Sequence, residues 1–261
     1  VSTTAPAGVP RPGRGLLLGA LPIAVLLAAW QGLALSGVSP FALPPPAAVG
    51  RTAAALTASG RLPAEVLTTL GRVLAAFGLA LVCGVLLGLL TGRVTVARRA
   101  ARPLLAYGFG VPKIALYPAI VILFGLGAAS KIALGFLEAF FPIVLATSAA
   151  ASRVDHHLVW SARSFGVPPR RILREVVLPA ALPGIATGAR IGLVGAVIGV
   201  FVAEMVVSPD GLGRLMTSSW ATLATAQMYV AVVAVAVLGL ALDRSFLVLR
   251  RRLLRWSSEE G

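Results

Sequence analysis

The chain has 261 residues, 58% of them apolar and 12% charged, with a formal net charge of +14 and a mean hydropathy of +0.93. A soluble domain carries about 25% charged residues, so the composition excludes an ordinary soluble enzyme or binding module and predicts a polytopic, all-α membrane protein. The single cysteine, Cys83, lies in an apolar run and excludes an intrachain disulfide framework or a cysteine-based metal cluster.

In chain order, residues 1–15 are Pro, Gly and small residues with Arg11 and Arg14, and read as a disordered cytoplasmic N-terminus. The apolar run 16–35 is long enough for one crossing at about 1.5 Å per helical residue. With the arginines before it this run resembles a signal peptide, but its length and the spans that follow favour an uncleaved anchor. Residues 36–66 are mixed, with a stiff Leu43-Pro44-Pro45-Pro46 segment and a short surface helix expected at 49–58. The second span is expected at 67–91, where Gly84, Gly88 and Gly92 recur every fourth residue and offer a small-residue packing face. A short basic connection with Arg93, Arg98, Arg99 and Arg102 leads to a third span, 104–126, interrupted by Pro112 and Pro118. The fourth span, 132–151, contains Glu138 and Pro142. After a polar loop, 152–184, come the fifth span (185–207), a Gly-containing polar loop (208–227), the sixth span (228–249) and a basic tail (250–261). Residues 16–249 thus form one transmembrane domain.

Six spans put both termini on one side. With that side cytoplasmic, sixteen arginines lie in inner segments, while only Arg51, Arg61, Lys131 and Arg214 lie outside. The positive-inside rule therefore predicts cytoplasmic termini. It also explains the basic excess as topology, helped by anionic lipid, rather than as a nucleic-acid footprint.

The loop 152–184 carries the most local information. Asp155 is placed to cap a helix, and Gly166 to close it in the left-handed conformation. Between them Leu158, Ala162 and Phe165 share a helical line, while His156 and Arg163 lie off it. A second short helix starts near Pro169, pairs Ile172 with Val176 and Leu173 with Val177, and is expected to end before Pro179. Its wet face holds Arg170, Arg171, Arg174 and Glu175. Such a helix–Gly–helix elbow between two spans is shaped to be held by a partner.

This elbow resembles the EAA loop of ABC-transporter permeases, Glu-Ala-Ala, three residues, Gly, nine residues, Ile-x-Leu-Pro. Here Ala162 and Gly166 keep the first spacing, and nine residues later come Val176-Val177-Leu178-Pro179. Trp160 stands for the Glu and Ser161 for the first Ala. Further stretches are similar to the nitrate, taurine and aliphatic-sulfonate group: Thr68-Thr69-Leu70-Gly71-Arg72, Pro112-Lys113-Ile114-Ala115-Leu116-Tyr117-Pro118, Phe124-Gly125-Leu126-Gly127, and Ala203-Glu204-Met205 before Gly211-Leu212-Gly213. That group also includes uptake systems for pyrimidine-type vitamin precursors.

The resemblance implies a type I importer. Two permease chains, here a second copy of the same one, would form the path in the inner membrane. A dimer of cytoplasmic ATP-binding subunits would dock on the elbow, and an external solute-binding protein would deliver a small, anionic solute. No G-x-x-x-x-G-K-[ST] occurs, so ATP and Mg belong to the partner, this chain carries no cofactor and it is not an enzyme. An intramembrane enzyme or an ion-coupled secondary transporter is the alternative class. The first needs convergent polar groups in spans or motifs such as H-E-x-x-H and G-x-S-x-G, which are absent. The second normally shows midplane carboxylates and an internal repeat.

Charges inside spans are functional candidates. Lys113, beside Pro112 in the middle of the third span, is the candidate path residue together with Glu138, either facing the cavity or simply paired with that carboxylate or with freed carbonyls. Arg72 and Arg190, each about one turn from a span end, are expected to snorkel. Glu204 is open to being solvated or to holding the external loop. His156-His157 has only Asp155 as a nearby ligand, and no metal site is expected.

Overall fold

A computed structural model describes the backbone of residues 12–37, 39 and 41–254. Residues 1–11 and 255–261, with Arg11, Arg255 and the ends of both expected tails, lie outside the described residues. Every regular element among the described residues is helical. The helices are α1 (Pro12–Leu35), α2 (Pro46–Ala58), α3 (Arg61–Arg93), α4 (Thr95–Gly110), α5 (Tyr117–Phe124), α6 (Ala128–Arg153), α7 (His156–Ser164), α8 (Pro169–Ile172), α9 (Leu178–Val206), α10 (Leu212–Ala221) and α11 (Thr225–Leu253). A 3₁₀ turn, Lys113–Leu116, precedes α5, and a π turn, Leu173–Val177, joins α8 to α9.

The core is α6 held between α3 and α9. Small residues let the three backbones approach. A methyl group added at Gly84 would stand 2.7 Å from Ile143 Cγ2, at Gly92 2.7 Å from the Ala151 Cβ, and at Gly192 2.8 Å from Ile143 Cδ1. The glycine stripe of α3 is therefore a packing face, the close-approach device of membrane helices. Around it Val73, Ala76, Ala80, Ala139, Ile143, Ala196 and Val200 are fully buried. Outward faces are apolar instead, with Leu79, Val82, Leu86, Ile191 and Ile198 more than half exposed, as lipid or a partner helix requires.

Four helices among the described residues are long and apolar enough to cross a membrane: α3, α6, α11 and the continuous run Pro169–Val206. The expected third span, 104–126, is not one straight helix. It starts earlier, as α4, already inside the segment expected as a basic loop, and it bends by 95° before α5. Pro112 has no N–H to give the ladder, so the helix stops at Gly110 and resumes as a tight turn. Counted as one, this bent pair is a fifth crossing. From α1, Ala24–Leu35 is a shorter apolar helix.

Other boundaries shift outward. α1 starts at Pro12, so residues 12–15 of the expected disordered leader are helical. α3, α6 and α11 each outrun the apolar runs 67–91, 132–151 and 228–249, because helical hydrogen bonding continues where hydropathy falls. The loop 208–227 contains α10, whose Leu212 and Leu215 are buried against Ala231 and Leu238 of α11. The largest correction concerns Pro179, which does not end a helix. The π turn gives Leu178 N–H to the Leu173 carbonyl, five residues back. This one-residue widening lets the chain accommodate a proline just inside α9, so the second helix of the elbow runs straight into the fifth span.

Candidate functional site

The elbow is built as a small rigid body. The Asp155 carboxylate accepts a hydrogen bond from the His157 amide at 2.9 Å and caps α7. At the other end Gly166 has φ +73°, its N–H donates to Arg163 O at 2.9 Å, and Val167 N–H donates to Ala162 O at 3.1 Å. Satisfying these last carbonyls is what a left-handed glycine does at a helix end. Val159 of α7 is buried with Ile172, Val177, Ala181 and Ile185, and with Leu89 and Ala151 from α3 and α6. The elbow is thus cemented to three long helices.

Its outward surface differs from the simple helical line. Ala162 is half-buried, but Leu158 and Phe165 point out, with Phe165 84% exposed. Trp160 is also exposed and stands edge-on to the rings of His156 and His157. Ser161 and Arg163 are exposed, while Leu178 and Pro179 are half-buried where the π turn meets α9. A solvated helix bearing Leu158, Trp160 and Phe165 outward is an apolar patch of the kind that marks an interaction site. Arg171 and Glu175 pair at 2.9 Å on the exposed side. Ligand atoms of Asp155, His156 and His157 lie within 4.8 Å of one another, all exposed; the Asp155 carboxylate is engaged in the cap.

Lys113 sits on the break between α4 and α5 and is buried. Its Nζ stands 3.4 Å from Glu138 Oε2, 5.5 Å from the Phe141 ring centre and 5.7 Å from that of Phe109. The pairing with Glu138 foreseen as the plain alternative is therefore present. A cation against two ring faces, with a half-buried carboxylate beside it, is a charged spot in an aromatic setting.

At the end of the bundle away from the elbow lies a second polar cluster. Arg72 does not snorkel. It is buried, with Nη1 2.7 Å from Glu204 Oε1 and Nη2 on the Asp210 carboxylate. Fully buried Glu204 also accepts from Thr69 Oγ1 at 2.9 Å and from Gly213 N–H at 3.1 Å. Thr69 Oγ1 in turn accepts from Leu212 N–H at 2.9 Å, and the Glu65 carboxylate from Gly211 N–H. Of the two readings open for Glu204, it is the one that holds the loop. Gly211 is required here, with φ +97° and no room for a side chain against the Glu204 carboxyl. Arg190 likewise meets Asp243 of α11 in a two-pronged pair at 2.7 and 2.9 Å, and Lys131, expected in an outer loop, is fully buried with its ammonium on the Leu126 carbonyl.

Glu65, Thr69, Asp210 and Asp243 were not foreseen. One signal was available: Glu65, Thr69 and Arg72 fall at i, i+4 and i+7, a polar stripe at the start of a span, which must face protein rather than lipid. No local pattern pairs Arg190 with a residue 53 positions away.

Comparison with known proteins agrees with this architecture. Residues 80–255, about two-thirds of the chain, match the family model for the binding-protein-dependent transport system inner membrane component. The chain is 32% identical over 245 residues to the taurine transport system permease protein TauC of Escherichia coli, covering 91% of this chain and 88% of that protein. It is 36% identical over 236 residues to the riboflavin transport system permease protein RibX of Chloroflexus aurantiacus, covering 90% and 88%. In fold it resembles a chain of the MetNI methionine ABC transporter in an inward-facing conformation, with a TM-score of 0.63 at 21% identity over 72% of this chain and 94% of that one. The chain therefore belongs to the family of inner-membrane components of binding-protein-dependent transport systems, as a multi-pass ABC-importer permease subunit and not an enzyme.

Proposed function

We propose that this permease forms, with a second copy of itself, the path for a small anionic organic solute of the taurine or aliphatic-sulfonate type. The observation that carries the coupling part is the elbow, a capped helix whose outward Leu158, Trp160 and Phe165 are exposed while Val159 anchors it to the bundle. In this reading a cytoplasmic ATP-binding subunit grips α7. Because α8 continues through the π turn into α9, movement of the elbow is transmitted to that span as a rigid body. Both termini lie in the cytoplasm, and an external solute-binding protein delivers the solute at the opposite end. Trp160 in place of the motif Glu makes this contact apolar and aromatic rather than ionic.

The solute class rests on the taurine-system relative and on Lys113, whose ammonium supplies a positive site part-way along the path, with Glu138 as the carboxylate that an entering anion must displace. A second reading, a flat organic solute such as a pyrimidine-type vitamin precursor, is favoured by the Phe109 and Phe141 rings beside that lysine and by the riboflavin-system relative.

Affinity purification of tagged chain from its native membrane, with mass spectrometry of its companions, tests the assembly. A co-purifying ATP-binding subunit and solute-binding protein support it, and a chain that repeatedly purifies alone in mild detergent refutes it. Binding of labelled taurine against riboflavin by that solute-binding protein then decides between the two solute classes.

A further inference from the structure

Between α1, α2, the start of α3 and α11 runs a groove of about 610 Å³ that the transport reading does not use. Every residue lining it is apolar, among them Leu27, Val49, Ala53, Val66, Val233 and Val237. The one polar atom available on its walls, the Trp30 indole N–H, is turned to the Pro44 carbonyl at 3.1 Å. The groove offers nothing to hydrogen-bond water, which does not occupy purely apolar cavities. Its walls are open sideways, with Leu27 and Val237 roughly half exposed.

Two features identify what would fill it. On α11 the lining runs from Val230 to Ala241, which at the helical rise is about 16 Å, close to the thickness of one leaflet of a hydrocarbon core of about 30 Å. At the end of the lining where Val230 lies, the Trp30 and Tyr229 rings stand 5.7 Å apart, tilted by 32° to one another, the aromatic marking of a headgroup level. Next in sequence to two lining residues stand two arginines: Arg51 follows Gly50 and Arg61 precedes Leu62. Both arginines are exposed and neither joins an ion pair among the described residues. The neighbouring acid on α3, Glu65, is committed to the Gly211 amide.

We infer that this groove is a phospholipid site, with an acyl chain along α11 and its phosphate between Arg51 and Arg61. A tail-length apolar slot beneath two uncompensated cations is the complement of an anionic lipid, and guanidinium groups are the natural partners of phosphate. A bound tail would fill the space between α1 and α11 and tie the peripheral first helix to the core of the permease.

The test uses the full importer complex purified in mild detergent, with retained phospholipid counted by native mass spectrometry. Wild type is expected to keep one phospholipid per chain, with phosphatidylglycerol favoured over phosphatidylethanolamine. Ala53→Trp and Ala234→Leu, which fill the groove from two different walls, should each lose it. Arg51→Gln with Arg61→Gln should keep the groove but lose the preference for the anionic lipid several-fold. Retention that is absent in wild type, or unchanged when either wall is filled, overturns the site, and an unchanged lipid preference in the double arginine variant overturns the headgroup assignment. Efficient disulfide cross-linking between two copies carrying Val237→Cys also overturns it, by giving the groove to a second permease. Should Ala53→Trp fail to fold, the smaller Ala234→Leu and the arginine pair still decide.

Discussion

Replacing Glu204 is the perturbation whose size the structure defines best. Its carboxylate is fully buried and takes hydrogen bonds from Arg72 at 2.7 Å, Thr69 at 2.9 Å and the Gly213 amide at 3.1 Å. Breaking one member of a buried ion pair costs about 3–5 kcal/mol, because the partner is left charged and uncompensated. Arg72 keeps Asp210, whose side chain is about half exposed, so Glu204→Ala should fall at the lower end, about 3 kcal/mol. In a chain of this size that corresponds to a melting temperature lower by roughly 6–12 °C. Glu204→Gln should be nearly as damaging, since its amide NH₂ must face one of three donors. Replacing both members, Arg72→Leu with Glu204→Leu, should cost less than either single change, as removal of a whole buried pair commonly does. Thermal unfolding of the purified complex, followed by loss of monodispersity on size exclusion, measures wild type, both Glu204 variants, the double variant and the single Arg72→Leu and Glu204→Leu proteins. A Glu204→Ala protein within about 1 kcal/mol of wild type, the scale of an exposed pair, would refute the clamp. So would a double variant as unstable as the sum of the two singles.

Three further outcomes are expected. Gly166→Val places a β-branched residue at φ +73° where nothing stands within 4 Å of an added Cβ; the whole penalty is conformational, about 1–2 kcal/mol or more. Solute should no longer stimulate ATP hydrolysis by the complex in that variant and uptake should fall with it, while Gly166→Asn stays near wild type; normal solute-stimulated hydrolysis with normal uptake in Gly166→Val sinks the coupling role. Lys113→Met should raise the apparent KM for uptake in proteoliposomes while leaving expression intact, and unchanged uptake kinetics remove Lys113 from the path. At Gly88 an added Cβ would overlap Thr147 and stand 2.9 Å from Val144 O. Gly88→Leu should therefore lower stability by about 1–3 kcal/mol through overpacking, read as a fall in melting temperature, whereas an unaltered value shows that α3 and α6 can separate freely.

Much of this organisation is written locally. Hydropathy runs mark the helices because a bilayer solvates nothing else. Asp155 and Gly166 announce α7 because a cap and a left-handed closure are decided by one or two residues each. The glycines of α3 announce a packing face for the same reason, since a missing side chain is a local property.

Three-dimensional contacts decided the rest. Pro179 signals a helix stop when read alone, yet the π turn before it makes α8 and α9 continuous. Leu158 and Phe165 share a line with Ala162, but Val159 is the residue that packs inward. The alternatives left open for Glu204 were separated by a partner 132 positions away, Arg72, and the carboxylate beside Lys113, Glu138, lies 25 positions away. Sequence by itself determined that this is a helical membrane protein with a capped helix–glycine–helix elbow, because hydrophobicity, capping and turn chemistry act over a few residues. Only the tertiary structure decided which charges are paired, which apolar residues of the elbow face outward, and where the third span breaks. Burial and ion pairing depend on what distant segments bring to the same place.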